Sequence, residues 1–325
     1  MSALRRFLAA ACAFALFWLA LGAAAVSVAA HGGKTDLRLD ILTHFAPLWL
    51  GASALPLFFA LFIHSRKVKF AIGVPALVGV IAAGSLILPE LRRPLSPRIA
   101  ADAPHQIKLI QFNTWGRNDE IDRTAQWIAD QNAGIVVIEE ATVAIREAIL
   151  ARRAYHASCR RCSVMIFSRA PPIFTAPPPL PEPWPGLPRA RATFAPADGG
   201  FTVIGVHYTW PTDDDVQKRQ GLQLAGSIAR LDHRRLILAG DFNSTPWSFS
   251  RRREDALFGL ERRTRALFSW PAARFTRFRI RTPMPFMAID HVYAGGDWRT
   301  VSVKRGPKLG SDHYPVVVRL ALIPR

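Results

Sequence analysis

Residues 7–30 run FLAAACAFALFWLALGAAAVSVAA, 24 positions without a charged side chain. A helix needs only about 20 apolar residues to cross roughly 30 Å of hydrocarbon. Two more apolar runs follow, at 41–63, interrupted by His44, Pro47 and Pro56, and at 70–88, with Pro75 inside. Backbone groups in lipid must be paired within their own segment, so three transmembrane helices are the expected form of 7–30, 41–63 and 70–88. A cleaved secretory signal is the alternative for the first run, because Arg5 and Arg6 precede it and small residues follow. That run is longer than the roughly 7–15-residue core of such signals.

Composition divides the chain in two. Over 325 residues it carries a net charge of +18 yet is 50% hydrophobic, averages that describe neither part. Positions 1–100 hold 10 basic and 3 acidic side chains, whereas 101–325 hold 32 and 21, a net +11. This excludes a uniform soluble domain, a purely polytopic transporter and a disordered chain, and three cysteines exclude a disulfide-dense scaffold. The proline-punctuated stretch PELRRPLSPRIAADAPHQ at 89–106 reads as a linker. The expected organisation is a membrane region over 1–95, a linker over 96–105 and a second domain over 106–325. Arg5, Arg6, Arg66, Lys67 and Lys69 lie on one side of the spans, and Lys34, Arg38, Arg92, Arg93 and Arg98 on the other. With that tie, the usual dominance of the first helix places the N-terminus inside and the second domain outside, in the periplasm of a bacterial inner membrane.

In the second domain, β-rich apolar runs recur at 107–112, 135–138, 164–167, 201–206, 236–239, 289–293, 301–303 and 316–320. Several are continuous Val/Ile/Leu runs, the pattern of strands buried on both faces. Helical stretches stand between some of them, near 119–131, 142–151 and 214–231, so the pattern is mixed α/β, with stacked sheets flanked by helices. Nine prolines fall between 171 and 188, and this segment is expected as extended surface chain outside any sheet ladder.

Nearly every expected strand ends in a polar cluster: Asn113, Glu139-Glu140, His207, Asp241-Phe242-Asn243, Asp290-His291 and, before the last strand, Ser311-Asp312-His313. Taken singly, a strand-terminal Asp or Asn is more often a turn or cap residue than a ligand. Six such clusters in order along one domain are hard to produce by turn chemistry alone. Carboxylates and an amide oxygen converging on one rim form a hard-oxygen set suited to Mg²⁺ or Mn²⁺, with room for a phosphate oxygen.

The segments QFNTWGRN (111–118), IVVIEEA (135–141), SVMIFSRAP (163–171), VIGVHYTWP (203–211), LILAGDFNSTP (236–246), AIDHVYA (288–294) and GSDHYPVVVRL (310–320) resemble the successive motifs of the endonuclease/exonuclease/phosphatase superfamily. GDFN with a later SDHxP is the specific part. The resemblance implies a four-layer α-β-β-α sandwich of two packed sheets behind the transmembrane region, and a metal-dependent phosphoesterase. It implies Asn113 and Glu140 as ligands of Mg²⁺ or Mn²⁺, with Asp312 as a third contributor. His313 would be the general base and Asp290 the carboxylate that fixes its tautomer. Asp241 would orient the nucleophile or share proton handling, and Asn243 and His207 would bind the scissile phosphate and stabilise its developing charge. The implied substrate is a phosphate ester, either nucleic acid or a phospholipid headgroup, with membrane lipid as a further partner. A lipid or inositol-phosphate phosphatase of the same fold is the alternative, and an inactive membrane-tethered binding module is the alternative of another class.

The family usually has Gln before the metal Glu, and here that position is Glu139, a group able to tune metal affinity. His291 is expected to pack structurally. His156, Cys159 and Cys162 admit free thiols, a local disulfide or, lacking an evident fourth ligand, a zinc site. Arginines across 251–281, interleaved with aromatics, suit either an anionic partner or a solvated basic face.

Overall fold

The computed structural model describes residues 3–176, 186–195, 199–272, 274–275 and 280–323. Pro177–Pro185 of the proline-rich segment and Arg277, Phe278 and Arg279 of the basic region lie outside the described residues. The chain forms two compact units, Met1–Arg93 with Trp247–Arg251, and Pro94–Pro246 with Arg252–Arg325.

In the first unit the apolar runs become helices α1 (Ala3–Ala30), α3 (Ala46–Ala60) and α4 (Arg66–Arg92), joined between α1 and α3 by short helical turns that include α2 (Leu37–Asp40). The run expected at 41–63 begins with a 3₁₀ turn, Ile41–Phe45, and is α-helical only over α3. Small residues line the seam between the helices: Ala20, Ala60 and Ala76 are buried with Ile72. Phe7, Trp18, Phe58, Phe62, Phe70 and Ile81 point outward, the reverse of a soluble bundle. Three helical stretches, Ala3–Lys34, Leu37–Ala60 (α3 with the short turns before it) and Arg66–Arg92, are long and apolar enough to cross a membrane. Trp247–Arg251 belongs to this unit through the Asp40 carboxylate, which accepts the backbone N–H groups of Phe249 (2.8 Å) and Ser250 (2.7 Å), and through the Trp247 indole N–H, which donates to the His44 carbonyl. A carboxylate on two free N–H groups of a helix start is a cap, here supplied from 209 residues away for α8 (Phe249–Phe258).

Among the described residues, the second unit holds two six-stranded sheets. The first orders β13 (Trp298–Arg305), β14 (Val316–Leu322), β1 (Gln106–Asn113), β2 (Ile135–Glu139), β4 (Met165–Ser168) and β3 (His156–Ala157). The second orders β5 (Phe174–Ala176), β6 (Arg189–Thr193), β7 (Thr202–His207), β8 (Leu236–Asp241), β12 (Asp290–Ala294) and β9 (Glu261–Arg262). A separate two-stranded hairpin joins β10 (Arg274–Phe275) to β11 (Ile280–Arg281). β1 pairs parallel with β2, and β7 with β8, and the other pairs are antiparallel.

Strand alternation builds the layers. Leu109, Val137, Val316 and Val318 of the first sheet meet Val203, Ile237, Ala239 and Val292 of the second in the central core. The neighbours one residue along, Ile110, Phe112, Val136 and Ile138, face away and are covered by Ala125 and Ile128 of α5 (Ile121–Asp130) and Ile145 and Ile149 of α6 (Val143–Arg152). Ile204, Val206, Leu236 and Leu238 are covered by Leu224 and Ile228 of α7 (Asp214–Ile228) and by Phe258 of α8. Burial on both faces explains the near-continuous apolar runs. The architecture is the four-layer α-β-β-α sandwich. Gly205 lets the sheets close, since a Cβ there would sit 2.6 Å from Val137 Cγ1.

The proline-rich segment departs from its reading as free surface chain. Phe174–Ala176 pairs with Arg189–Thr193 as the edge of the second sheet, because residues 173–176 carry no proline and keep their N–H donors. Residues 97–99 of the expected linker also bond to the sheet: Thr300 N–H donates to Pro97 O and Ile99 N–H to Thr300 O. Helix α8 went unread in the sequence because its first turn, rich in arginine, shows no apolar periodicity.

Candidate active site

The C-terminal ends of β1, β2, β7 and β8 and the N-terminal ends of β12 and β14 lie at one rim of the sandwich. Register fixes the partners: Asn113 is opposite Glu139, and Asp241 is opposite both His207 and Asp290. A side chain at Gly240 would collide with the Val206 carbonyl, so glycine lets β7 and β8 run close up to His207 and Asp241.

One atom gathers the cluster. Asp241 Oδ2 accepts from Asn113 Nδ2 at 3.1 Å and lies 3.6 Å from both His207 Nε2 and His313 Nε2. Its other oxygen accepts the Asn243 N–H at 2.8 Å. His313 Nδ1 lies 2.8 Å from Asp290 Oδ2, so the imidazole bridges two buried carboxylates. Asn113 Nδ2 also donates to Glu140 Oε1 (3.2 Å), and Glu140 Oε2 accepts from Gly116 N–H (2.9 Å). Glu140 stands at positive φ, which turns it away from the path of β2 toward Asn113. Asn243 is likewise at positive φ, and its amide donates to the Tyr208 carbonyl.

Asp312 is joined to the rest through its loop. Its Oδ2 accepts from the Trp270 indole at 3.2 Å, while its buried Oδ1 has no hydrogen-bond partner among the described residues. All eight residues expected from the sequence thus reach this rim. Among the described residues, the His/Cys/Asp/Glu group tight enough to hold a metal ion is Asp241, Asp290 and His313, with ligand atoms within 4.8 Å of one another. This trio shares no residue with the expected ligand set Asn113, Glu140 and Asp312, which adjoins it through the Asn113–Asp241 hydrogen bond. Buried carboxylates crowded around two histidines, with an orphaned Asp312 oxygen, form a donor set that fits a hard divalent cation.

Two roles escaped the sequence reading, those of Gln111 and Ser311. Gln111 Nε2 donates to Glu139 Oε2 (2.9 Å) and to Asp290 Oδ1 (2.8 Å). Ser311 Oγ donates to the Asn113 carbonyl and accepts the His313 N–H, tying the His313 loop to β1. Glu139 is wholly buried between the sheets. Two-residue alternation from Leu109 through Gln111 to Asn113 carried the only available signal for Gln111. His291, by contrast, is structural: its ring nitrogens meet Thr264 Oγ1 and the Ser244 carbonyl. Cys159 and Cys162 are disulfide-bonded, which removes both from any zinc site.

Burial, then the charges of Asp290 and Asp241, holds the Glu139 pKa well above the usual carboxylate range. Burial also lifts Asp241 to about 6, with Asp290 adding to the rise and His313 opposing it. For His313, burial works against the charged form, but Asp290, Asp241 and Asp312 together overcome it and hold its pKa well above the ordinary histidine value. All three groups therefore bind a proton more tightly folded than unfolded, so stability falls as pH rises. The loss begins near the unfolded carboxylate values of about 4 and continues through about 6 as Asp241 ionises, with Glu139 and His313 contributing in the same direction. Metal-free protein in detergent should accordingly melt at a lower temperature at pH 8 than at pH 5.5, and Mg²⁺ should raise the melting point more at pH 8. Glu139→Gln, which mimics the protonated acid, should raise the metal-free melting point at pH 8, by about 2–4 °C per kcal/mol recovered. A metal-free melting point that climbs from pH 5.5 to 8 contradicts this electrostatic picture.

A profile of the endonuclease/exonuclease/phosphatase family matches residues 110–313. Among solved structures, the chain is similar to an endonuclease/exonuclease/phosphatase family protein from Bacteroides thetaiotaomicron, with TM-score 0.53, 14% identity and coverage of 67% of this chain and 95% of that one. It is also similar to the mannosyl-6-phosphatase of Bacteroides thetaiotaomicron, with TM-score 0.53, 14% identity and coverage of 66% and 100%. A humanized D. rerio TDP2 matches with TM-score 0.52, 12% identity and coverage of 66% and 98%. At these identities the likeness concerns the fold. No curated protein matches the chain.

Proposed function

Because the chain belongs to the endonuclease/exonuclease/phosphatase family, whose members hydrolyse phosphate esters, we propose that it is a membrane-anchored, divalent-metal-dependent phosphodiesterase with nuclease-like activity. The observation that carries the reading is the convergence of Asn113, His207 and His313 on one oxygen of Asp241, with Asp290 behind the imidazole.

In this reading His313 Nε2 takes the proton of the attacking water, and Asp290 holds the ring through Nδ1 and stabilises the imidazolium that forms. Asp241, 3.6 Å from His313 Nε2, orients that water. His207, part-exposed at the end of β7, and Asn243 contact the scissile phosphate and offset its developing charge. Asn113, Glu140 and Asp312 hold Mg²⁺ or Mn²⁺, which when bound neutralises phosphate charge and polarises the phosphorus–oxygen bonds. In-line displacement of this kind needs positioning and charge neutralisation rather than a covalent Ser or Cys nucleophile.

Features of the rim favour a nucleic-acid diester. Trp210 is 47% exposed, three residues beyond His207, and stands edge-on to Trp270 at 5.7 Å between ring centres, while Trp270 bonds Asp312. Arg305 lies over the Tyr314 ring next to His313. An exposed indole and a cation beside the reacting phosphate suit a stacked base and a flanking phosphate. The test is a substrate panel on the full chain in detergent with Mg²⁺: single-stranded oligonucleotide, duplex DNA, sphingomyelin, inositol phosphates and a sugar phosphate. The oligonucleotide should turn over fastest. Turnover of monoesters alone overturns the diesterase reading.

The anchoring is part of the same proposal. The three apolar helices are compatible with a multi-pass anchor, and the Cys159–Cys162 disulfide suits an oxidising compartment such as the periplasm. An alkaline phosphatase fused after Arg325 should be active in a bacterial host, and an inactive fusion would place the domain inside.

A further inference from the structure

Gln111 lies on the inner face of β1, between Leu109 and Asn113, with its side chain wholly buried between the two sheets. Its single amide nitrogen serves two acids. One hydrogen bond, 2.9 Å, goes to Glu139 on the neighbouring strand of the same sheet, and the other, 2.8 Å, crosses to Asp290 on the opposite sheet. Asp290 divides its oxygens accordingly: Oδ1 takes the Gln111 N–H, and Oδ2 faces His313 Nδ1 at 2.8 Å. His313 precedes β14 of the first sheet while Asp290 opens β12 of the second, so the Asp290–His313 pair depends on how a carboxylate is aimed across the gap between sheets.

We propose that Gln111 is a positioning residue, which fixes the Asp290 carboxylate by Oδ1 so that Oδ2 addresses His313, and which is itself held in place by Glu139. Three points support the assignment. A carboxylate rotates freely about its last torsion unless both oxygens are engaged, and burial removes water as a substitute donor. The Asp290 side chain has no solvent exposure, so the lost Gln111 bond could not be replaced from outside. The Glu139–Gln111 bond, in turn, removes the rotational freedom that a long amide would otherwise keep, which is the condition for aiming its second N–H. Outer groups that orient the side chains of a reactive centre without touching the reacting atoms contribute about 10- to 100-fold where they support metal-binding ligands, and the same range is expected for Gln111 acting through Asp290.

This inference rests on the His313 reading above, and its test separates the two. Gln111→Met keeps length and apolar packing but removes the donor. For the full chain in detergent with Mg²⁺ and the best substrate of the panel, kcat should fall about 10- to 100-fold with KM within about twofold. In ¹⁵N-histidine-labelled protein, the downfield imidazole N–H resonance that disappears in His313→Ala should shift or broaden away in Gln111→Met, while the melting temperature falls by no more than about 10 °C, the cost of two buried acids losing one donor. Unchanged kcat, a KM and melting loss in parallel with kcat, or an unmoved His313 resonance overturns the proposal. If the wild type hydrolyses no phosphate ester, the functional reading fails, and the resonance alone still decides the role of Gln111.

Discussion

His313→Ala should lower kcat/KM for a phosphodiester by about 10³-fold or more, within the range expected for loss of a positioned general base. The magnitude follows from placement. Among the described residues, His313 Nε2 is the only imidazole nitrogen of the cluster backed by a carboxylate on its far side, with Asp290 at 2.8 Å from Nδ1. His207 reaches the same Asp241 oxygen at 3.6 Å but, among the described contacts, has no such partner behind it, so it does not replace His313 as base. Asp290→Asn should cost about 10- to 100-fold, since the ring remains but its tautomer and charge lose their support. Asp290→Asn keeps the side-chain volume and should melt close to wild type, whereas His313→Ala empties a buried position and should melt lower, so its rate is measured well below its own melting temperature. Near-wild-type rates for both variants in metal-replete buffer would show that proton transfer occurs elsewhere.

The second large effect concerns Glu140. Its carboxylate is held from two sides, by Asn113 Nδ2 at 3.2 Å and the Gly116 N–H at 2.9 Å, in a backbone conformation that non-glycine residues rarely adopt. Such strain is retained where the surrounding structure over-determines it, and the proposed reason is presentation of a hard anionic ligand. Glu140→Ala should therefore raise the Mg²⁺ concentration for half-maximal rate by at least about tenfold, because ligand charge sets affinity for hard cations. Calorimetric titration with Mn²⁺ should show the same weakening without any turnover. Asp312→Asn should move affinity in the same direction through loss of charge at the buried Oδ1. Unaltered Mn²⁺ affinity in both variants would shift the metal site to Asp241, Asp290 and His313.

Much of the rim was legible in the sequence because each site residue sits where an apolar strand breaks into polarity. Asp241 after LILAG and His313 within SDHYP could be read that way, and the two-sided burial of the sheets could be read from unbroken Val/Ile/Leu runs. What stayed hidden had a physical cause in each case. Glu139 and Glu140 are adjacent and chemically identical in sequence, and only the family resemblance told them apart; the physical reason lies in the fold, where one points between the sheets, with burial favouring its protonated form, and the other turns out at positive φ toward Asn113. Gln111 looks like an ordinary strand residue until the opposite sheet supplies Asp290, 179 positions away. The capping of Phe249 and Ser250 by Asp40 joins residues that no local pattern could connect. The strand at Phe174–Ala176 was obscured by the prolines on either side of it.

The central claim is that this buried carboxylate–imidazole cluster hydrolyses phosphate diesters only with a divalent cation in place. Its most direct test is oligonucleotide cleavage by the full chain in detergent, measured after exhaustive EDTA treatment and again after Mg²⁺ or Mn²⁺ is restored, with His313→Ala carried in parallel. The account predicts no cleavage without metal, recovery of the wild-type rate on restoration, and no recovery for the variant. Equal cleavage in EDTA, or equal recovery by His313→Ala, would contradict it.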